Sequence, residues 1–533
     1  MKKQMKNVLA VIMTLSMTVA CLAGCGQSSD KKTDTNGADT AAEKVLTFGC
    51  QNYAGGNVDT SYQTSAAWNT MRYGVAESLF KFNDAMEVEP WLAESCEVSE
   101  DHKTWTIKLK EGVKFSNGED MTASKVKASY DWLKESGPKG ASAPEKFLEY
   151  EAEITADDAA GTVTIVTKKA YADLTKNLAH PVMAILDVEN TKDFDHGVIG
   201  TGPYVIDSYK EDVGYTLVKN ENYYEEVPYD KVELYYMGDA SAKAMALQNG
   251  QVDLVENITN VSDIQKFQED SDYKVDIANG VRCGFSYINM KGILANDALR
   301  QAVLMGIDDE TICSSNLIGG LYTPGYSVLP SNLTYNYDTL KNPYGYDAKA
   351  AKALLDKAGI VDTDGNGIRE LDGKDIVLHY VYYDNRLLKE FAQAQHNYLT
   401  AIGIEINEDE VDSDTEWNML VNGEYDLLGN NWTTVATGDP TEYLDNWYGK
   451  SEANYCGYQN DEYDELYGQL LTELDNDKRT EIITRLQQIL IDDAAVLVDG
   501  YYNSSMIASK NVAQAPIHTA DYYWLTTEIK PAE

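Results

Sequence analysis

Six histidines, seven cysteines and 86 carboxylates are the groups from which a catalytic or metal site in this chain would have to be built. His102, His180, His196, His379, His396 and His518 are scattered, and none has a second histidine or cysteine two to four residues on. That spacing is what places two ligands on one turn or helix face, so a pre-assembled transition-metal site is not expected. The signatures GxSxG, HExxH and GxxxxGK[ST] are missing, and with them the usual marks of a hydrolase, a zincin or a phosphate-binding loop. Gly200-Thr201-Gly202-Pro203-Tyr204 contains GxG, but Pro203 and the missing third glycine make it a structural turn rather than a dinucleotide loop. Asp362-Thr363-Asp364-Gly365-Asn366-Gly367-Ile368 imitates the start of a calcium loop. Gly373 stands where a bidentate Glu is wanted, which favours a solvated Asx turn. Groupings such as Glu408-Asp409-Glu410 read as a charged face.

The elements that would position any site belong to a long, acidic, globular chain. It has 533 residues and a formal charge of −42, which allows two to four domains. Nucleic acid is excluded as a partner, because a phosphate backbone needs a basic stripe. Tyrosine (37) far exceeds phenylalanine (9), which suits wet surfaces where a ring packs and its hydroxyl finds a partner. A basic Met1-Lys2-Lys3 start, an apolar run from Val8 to Ala23 and the sequence Leu22-Ala23-Gly24-Cys25 form a secretory signal. The last four residues resemble a bacterial lipobox, by which Cys25 is lipidated and becomes the first mature residue. Two or more acyl chains anchor durably, at about 0.8 kcal/mol per buried methylene. Residues 26–43 read as a flexible tether. Of the remaining Cys50, Cys96, Cys283, Cys313 and Cys456, none are at CxxC spacing and the count is odd, so buried free thiols are expected, with one bridge possible.

Beyond the tether, strands and helices alternate without an internal repeat. Trp105, Ile107 and Leu109 alternate with polar residues, a half-buried strand that the turn Phe115-Ser116-Asn117-Gly118 follows. Ala348, Ala351, Leu354, Leu355 and Ala358 line a helix face that Asp347 starts and Gly359 ends. Ile482, Ile483, Leu486, Ile489 and Leu490 line another. The chain is mixed α/β, with interleaved domain segments.

Ordered blocks carry a family resemblance along nearly the whole mature chain. Pro90-Trp91-Leu92-Ala93-Glu94 runs through Trp105 into Gly112-Val113-Lys114-Phe115-Ser116-Asn117-Gly118. Gly200 to Tyr204 follows, then Ala246-Leu247-Gln248-Asn249-Gly250, Leu299-Arg300-Gln301-Ala302, Tyr346-Asp347 and Gly423-Glu424-Tyr425-Asp426. The sequence resembles the peptide and nickel class (family 5) of bacterial extracytoplasmic solute-binding proteins, the receptors of ABC importers. The resemblance implies an α/β, two-lobed periplasmic-binding-protein-like fold (type II) with an additional inserted subdomain. The expected division is a signal peptide 1–24, a tether 25–44, lobe I 45–75, an inserted subdomain 76–189, lobe I again 190–284, lobe II 285–498 and a return to lobe I 499–533. Crossings between lobes are expected near Val281–Asn289 and Val496–Tyr502.

By the same resemblance a peptide or nickel-type chelate lies in the interlobe cleft of a monomer, and a membrane permease with a separate ATPase receives it. The protein needs no catalysis, cofactor or resident metal, and sits outside the cytoplasm on a lipid anchor. Peptide-binding members commonly hold the peptide amine with an aspartate between a Trp and a Pro. Here the run from Trp432 to Pro440 offers only Asp439, beside the Pro, which weakens an oligopeptide reading. Tyr383-Asp384-Asn385-Arg386 and Ala515-Pro516-Ile517-His518 look more like the nickel branch. Ligand contacts are therefore expected from Trp68, Arg72, His180, Arg386, Trp432 and Thr437, with Lys139 a further cation for chelate carboxylates. Each has a plainer reading: core aromatic, surface ion pair or satisfied loop histidine. Two other functions fit a tethered cleft protein, presentation of a ligand to a sensor and surface hydrolysis.

Overall fold

Two long strands, Tyr273–Ile288 and Val496–Ser509, lie antiparallel along nearly their full length, from Tyr273 opposite Ser509 to Tyr287 opposite Val496. They belong to a computed structural model that describes residues 43–136 and 151–532. The signal peptide, Cys25, residues 25–42 of the tether and Lys139 lie outside the described residues. Val496–Ser509 is buried at every position but its last, as expected of a strand covered on both faces.

The two strands form the middle of an eleven-stranded sheet, whose short strand Tyr322–Thr323 pairs with Val496–Ser509 outside the main strand order. On one side follow Leu427–Thr433, Val377–Tyr383 and Glu405–Val411; on the other, Leu254–Glu256, Val45–Cys50, Lys231–Tyr236, Gly214–Lys219 and Tyr204–Lys210. The half of the first strand from Arg282 to Ile288 pairs with Leu427–Thr433, whereas the Met506–Ala508 half of the second pairs with Leu254–Glu256. The molecule thus has two α/β lobes built on one sheet and joined where both strands pass through. Register breaks between Ala278 and Arg282, and again beside Gly284, where Asp499 is the extra residue of a bulge.

The Asp499 carboxyl is fully buried in that bulge. One oxygen accepts from Gln395 Nε2 at 2.7 Å; Gln395 accepts from the Tyr380 hydroxyl at 2.7 Å, and Tyr380 meets Ser286 Oγ at 2.8 Å. A polar chain therefore links the two crossing strands through lobe II. Burial pushes the Asp499 carboxyl up to about 7, and the same cause, with Asp499 as neighbour, raises Asp309. A carboxyl raised in the fold contributes stability that is full below about pH 4 and lost as pH climbs to about 7. Asp499→Asn is accordingly expected to unfold at higher urea than the parent at pH 8, with the advantage gone at pH 4. Glu77 and Glu416, also raised to about 7, leave a residual slope of the same sign in the variant.

Residues 93–98, 104–109, 162–167 and 151–157 form a separate antiparallel sheet in that order, with the helix Ala123–Ser136 packed on it. Trp105, Ile107 and Leu109 point inward as their alternation predicts. The Gly200–Tyr204 motif is a packing joint: a Cβ at Gly202 would lie 2.3 Å from the Gly74 carbonyl oxygen, and one at Gly200 2.3 Å from that of Val75. Between them Thr201 Oγ1 donates to the buried Glu77 at 2.9 Å. The helix Ala348–Lys357 is capped by Asp347, which accepts from the Ala350 amide, and ends at Gly359 in the left-handed region, φ +78°. The helix Asn476–Asp492 buries Ile483, Leu486, Ile489 and Leu490.

Glu405–Val411 ends the sheet with four carboxylates in seven residues, Glu405, Glu408, Asp409 and Glu410. The five described cysteines are free thiols, all buried except Cys96, which is partly exposed. Asp362 accepts from the Gly365 and Gly367 amides at 2.7 and 2.9 Å, the Asx turn its sequence suggests. Among the described residues no helix is long and apolar enough to cross a membrane.

Candidate ligand cleft

The helix Thr64–Arg72 of lobe I faces the end of Leu427–Thr433 and the segment after it in lobe II across a cavity of about 370 Å³. Trp68 comes from the helix, Arg282 from the first crossing strand beside its register break, and Asn431 to Thr434, Ala436, Asp439, Glu442 and Tyr443 from lobe II. Aromatic rings and a few fixed polar groups are the ordinary lining of a small-molecule site.

Its donors are short of acceptors. Trp68 Nε1–H is buried without a hydrogen-bond partner among the described residues. The Arg282 guanidinium lies 5.7 Å from the Trp68 ring and, among the described residues, donates only to the Asn431 carbonyl and side-chain oxygens, at 3.4 and 3.3 Å. Burial and the nearby Arg386 push the Arg282 guanidinium down to about 10. Arg386 follows Asn385 with φ +47°, and Leu387 repeats the left-handed conformation at +63°. Two successive non-glycine residues held there are strained backbone, of the kind found at ligand clamps. The Arg386 carbonyl accepts from Tyr322 OH at 2.7 Å, and its guanidinium lies 5.9 Å from the Tyr502 ring. Burial opposes its charge, but Tyr53, Tyr383, Tyr502 and Tyr322 around it outweigh that and raise its pKa. Among the described residues no carboxylate forms an ion pair with Arg282 or Arg386.

The other expected contacts are distributed differently. Trp432 lines the cavity with Trp68. Arg72 is committed inside lobe I: its Nε donates to the Asp521 carbonyl at 2.7 Å and its Nη2 to the Asp521 carboxylate at 3.0 Å, while Tyr53, Trp68 and Trp524 surround it. His180 is buried, and its Nδ1 accepts from the Val182 amide to cap the turn Pro181–Met183. Burial pushes that imidazole to about 3, so it stays neutral. Thr437 is half-buried and does not line the cavity, although Ala436 and Asp439 do. Asp439 is occupied: Arg479 donates to it at 2.7 Å and Lys176 lies 3.9 Å away, which together outweigh burial and keep it ionised. Arg282, Asn431 and Glu442 were not singled out from the sequence. Arginine scarcity was the available signal, since three of only seven arginines, Arg72, Arg282 and Arg386, interact electrostatically around this cleft.

A carboxylate is the group that this arrangement can hold. A planar fork and an indole N–H make charge-assisted hydrogen bonds to it, and it supplies the counter-charge that Arg282 lacks among the described residues; Arg386 does not line this cavity. Two α/β lobes on a shared sheet, closing on a donor-lined cavity, define a ligand-capturing binding protein. Residues 87–455 match the family described as bacterial extracellular solute-binding proteins, family 5, and the chain belongs to that family. The chain is similar to the nickel-binding protein NikA of Staphylococcus aureus, 27% identical, covering 96% of this chain and 97% of that one. It is 25% identical to the dipeptide-binding protein DppE of Bacillus subtilis over 98% and 99% of the two chains. In fold it matches the crystal structure of NikA from Brucella suis in complex with Fe(III)-EDTA, with a TM-score of 0.82 at 22% identity, covering 92% of this chain and all of that one. The chain is therefore a substrate-binding protein of the kind that serves ABC importers, and these relatives are binding proteins rather than enzymes.

Proposed function

We propose that this protein captures a metal chelate through the chelator's carboxylates and delivers it to a membrane permease, whose separate ATPase supplies the energy. The observation that carries the ligand class is the pair of donors in the cavity, Trp68 Nε1–H and the Arg282 guanidinium, neither of which forms a hydrogen bond or ion pair with Asp439, Glu442 or any other acid among the described residues. The relatives named for nickel, and the one bound to Fe(III)-EDTA, a polycarboxylate chelate, support the same reading. Asp439, already neutralised by Arg479, is poorly placed to take up a peptide amine. We read the protein as a monomer that uses the lobe boundaries given above and is anchored outside the cytoplasm through lipidated Cys25.

Thermal unfolding of the purified protein tests the ligand class. The additions are nickel(II), L-histidine, the two together, and di-, tri- and longer peptides. A ligand at a hundred times its dissociation constant stabilises by about 2.7 kcal/mol, and the midpoint is expected to rise by several degrees with nickel and histidine together. A rise with peptides alone would overturn the chelate reading and assign the cleft to peptides.

A further inference from the structure

Four consecutive residues near the carboxyl end, Asp521 to Trp524, each fasten to a different part of the molecule. Asp521 takes the Arg72 guanidinium of lobe I. Tyr523 OH accepts from the Phe82 amide at 3.0 Å, in the segment that leads into the inserted sheet. The Trp524 ring packs edge-on against Phe48, 5.6 Å away, in the lobe I core. Tyr522 reaches the other lobe: its hydroxyl donates to the Ala436 carbonyl at 3.0 Å.

The geometry around Tyr522 gives that hydrogen bond a special position. Its ring lies 6.2 Å from the Trp68 ring at 30°, with Phe82 and His180 packed around it. Trp68 and Ala436 line the cavity from lobe I and lobe II respectively. One side chain therefore touches both walls, stacking on the first and hydrogen-bonded to the second. Asp521, with φ +57° and its amide bonded to the His518 carbonyl at 2.8 Å, makes the turn that presents Tyr522 there.

We propose that Tyr522 is the latch of lobe closure, a positioning residue whose hydroxyl bonds Ala436 only while the lobes are together and whose ring senses what lies against Trp68. The proposal rests on the ligand-capture reading, but not on the identity of the ligand. Removing the hydroxyl alone should shift the closed-to-open ratio about fivefold, the equilibrium equivalent of one net hydrogen bond.

Spin labels at the exposed Glu211 in lobe I and Lys357 in lobe II, with Cys96→Ser to avoid a third label, report the interlobe distance. In the ligand-free protein, Tyr522→Phe is expected to lower the closed-to-open ratio about fivefold at an unchanged urea midpoint. Release of nickel–histidine should quicken by a similar factor. Equal distance distributions in parent and variant, or one unvarying distance in both, would overturn the latch. So would a fall in urea midpoint without a change in distances, which would make Tyr522 a packing residue only. If nickel–histidine moves neither protein, the chelate reading fails, while the ligand-free comparison still decides the latch.

Discussion

Arg282→Ala is expected to weaken binding of nickel–histidine about 30-fold or more without loosening the fold. Among the described residues the Arg282 guanidinium has no acid partner, so its removal takes nothing from an ion pair there and relieves its repulsion of Arg386. In the complex the same group is the charge-assisted donor that a chelate carboxylate needs. Removing one member of such a desolvated pair costs about 2–5 kcal/mol, where about 1.4 is tenfold. Titration calorimetry reads the affinity and urea denaturation the stability, and the two should move in opposite directions or the second not at all. Arg282→Lys should fall between, since it keeps the charge but loses the planar fork and the stacking on Trp68. Unchanged affinity in the alanine variant would remove Arg282 from the site.

Asp521→Ala is expected to destabilise the protein by about 3–5 kcal/mol, the usual cost of leaving one charge of a buried pair without its partner. The Arg72 and Asp521 side chains are almost wholly buried, at 3% and 10% exposure. The carboxylate also accepts from Trp524 Nε1, so a second buried donor is orphaned. The backbone bond from Arg72 Nε to the Asp521 carbonyl survives the substitution and does not supply charge. Replacing both partners, as in Arg72→Met with Asp521→Leu, should recover much of the loss, because no charge is then left in the interior. A urea midpoint for Asp521→Ala within about 1 kcal/mol of the parent would show that water reaches Arg72. Equal losses in the single and double variants would show that packing, not charge, is what the pair supplies.

Local signals survived from sequence to structure and convergent ones did not. Asp347 and Gly359 bound their helix, and Trp105, Ile107 and Leu109 face inward, because caps and alternation act within a few residues. Trp68 and Trp432 border the cavity, but no short-range rule separates Arg282, which also borders it, from Arg72, which a residue 449 positions away neutralises. His180 next to a proline reads as a ligand candidate or, more often, as a satisfied loop histidine; its role as a buried cap depends on what covers it. Tyr522 carried no sequence signal, since its significance lies in touching two segments that only the folded sheet brings together.

The acidic strand at the margin of the large sheet bears on how copies of the chain behave when crowded. Among the described residues Glu405–Val411 leaves one row of backbone groups without a neighbouring strand, and such a row is a template on which another copy can add itself. A second copy docking there would bring its own Glu405, Glu408, Asp409 and Glu410 against the first set, and opposed like charges disfavour strand pairing. Lys389 partly neutralises Glu410 and His396 Nδ1 lies against Glu408 within one molecule, but neither offers anything to a newcomer. The sheet therefore resists growth by self-addition, so the protein can reach high local concentration without polymerising through this edge.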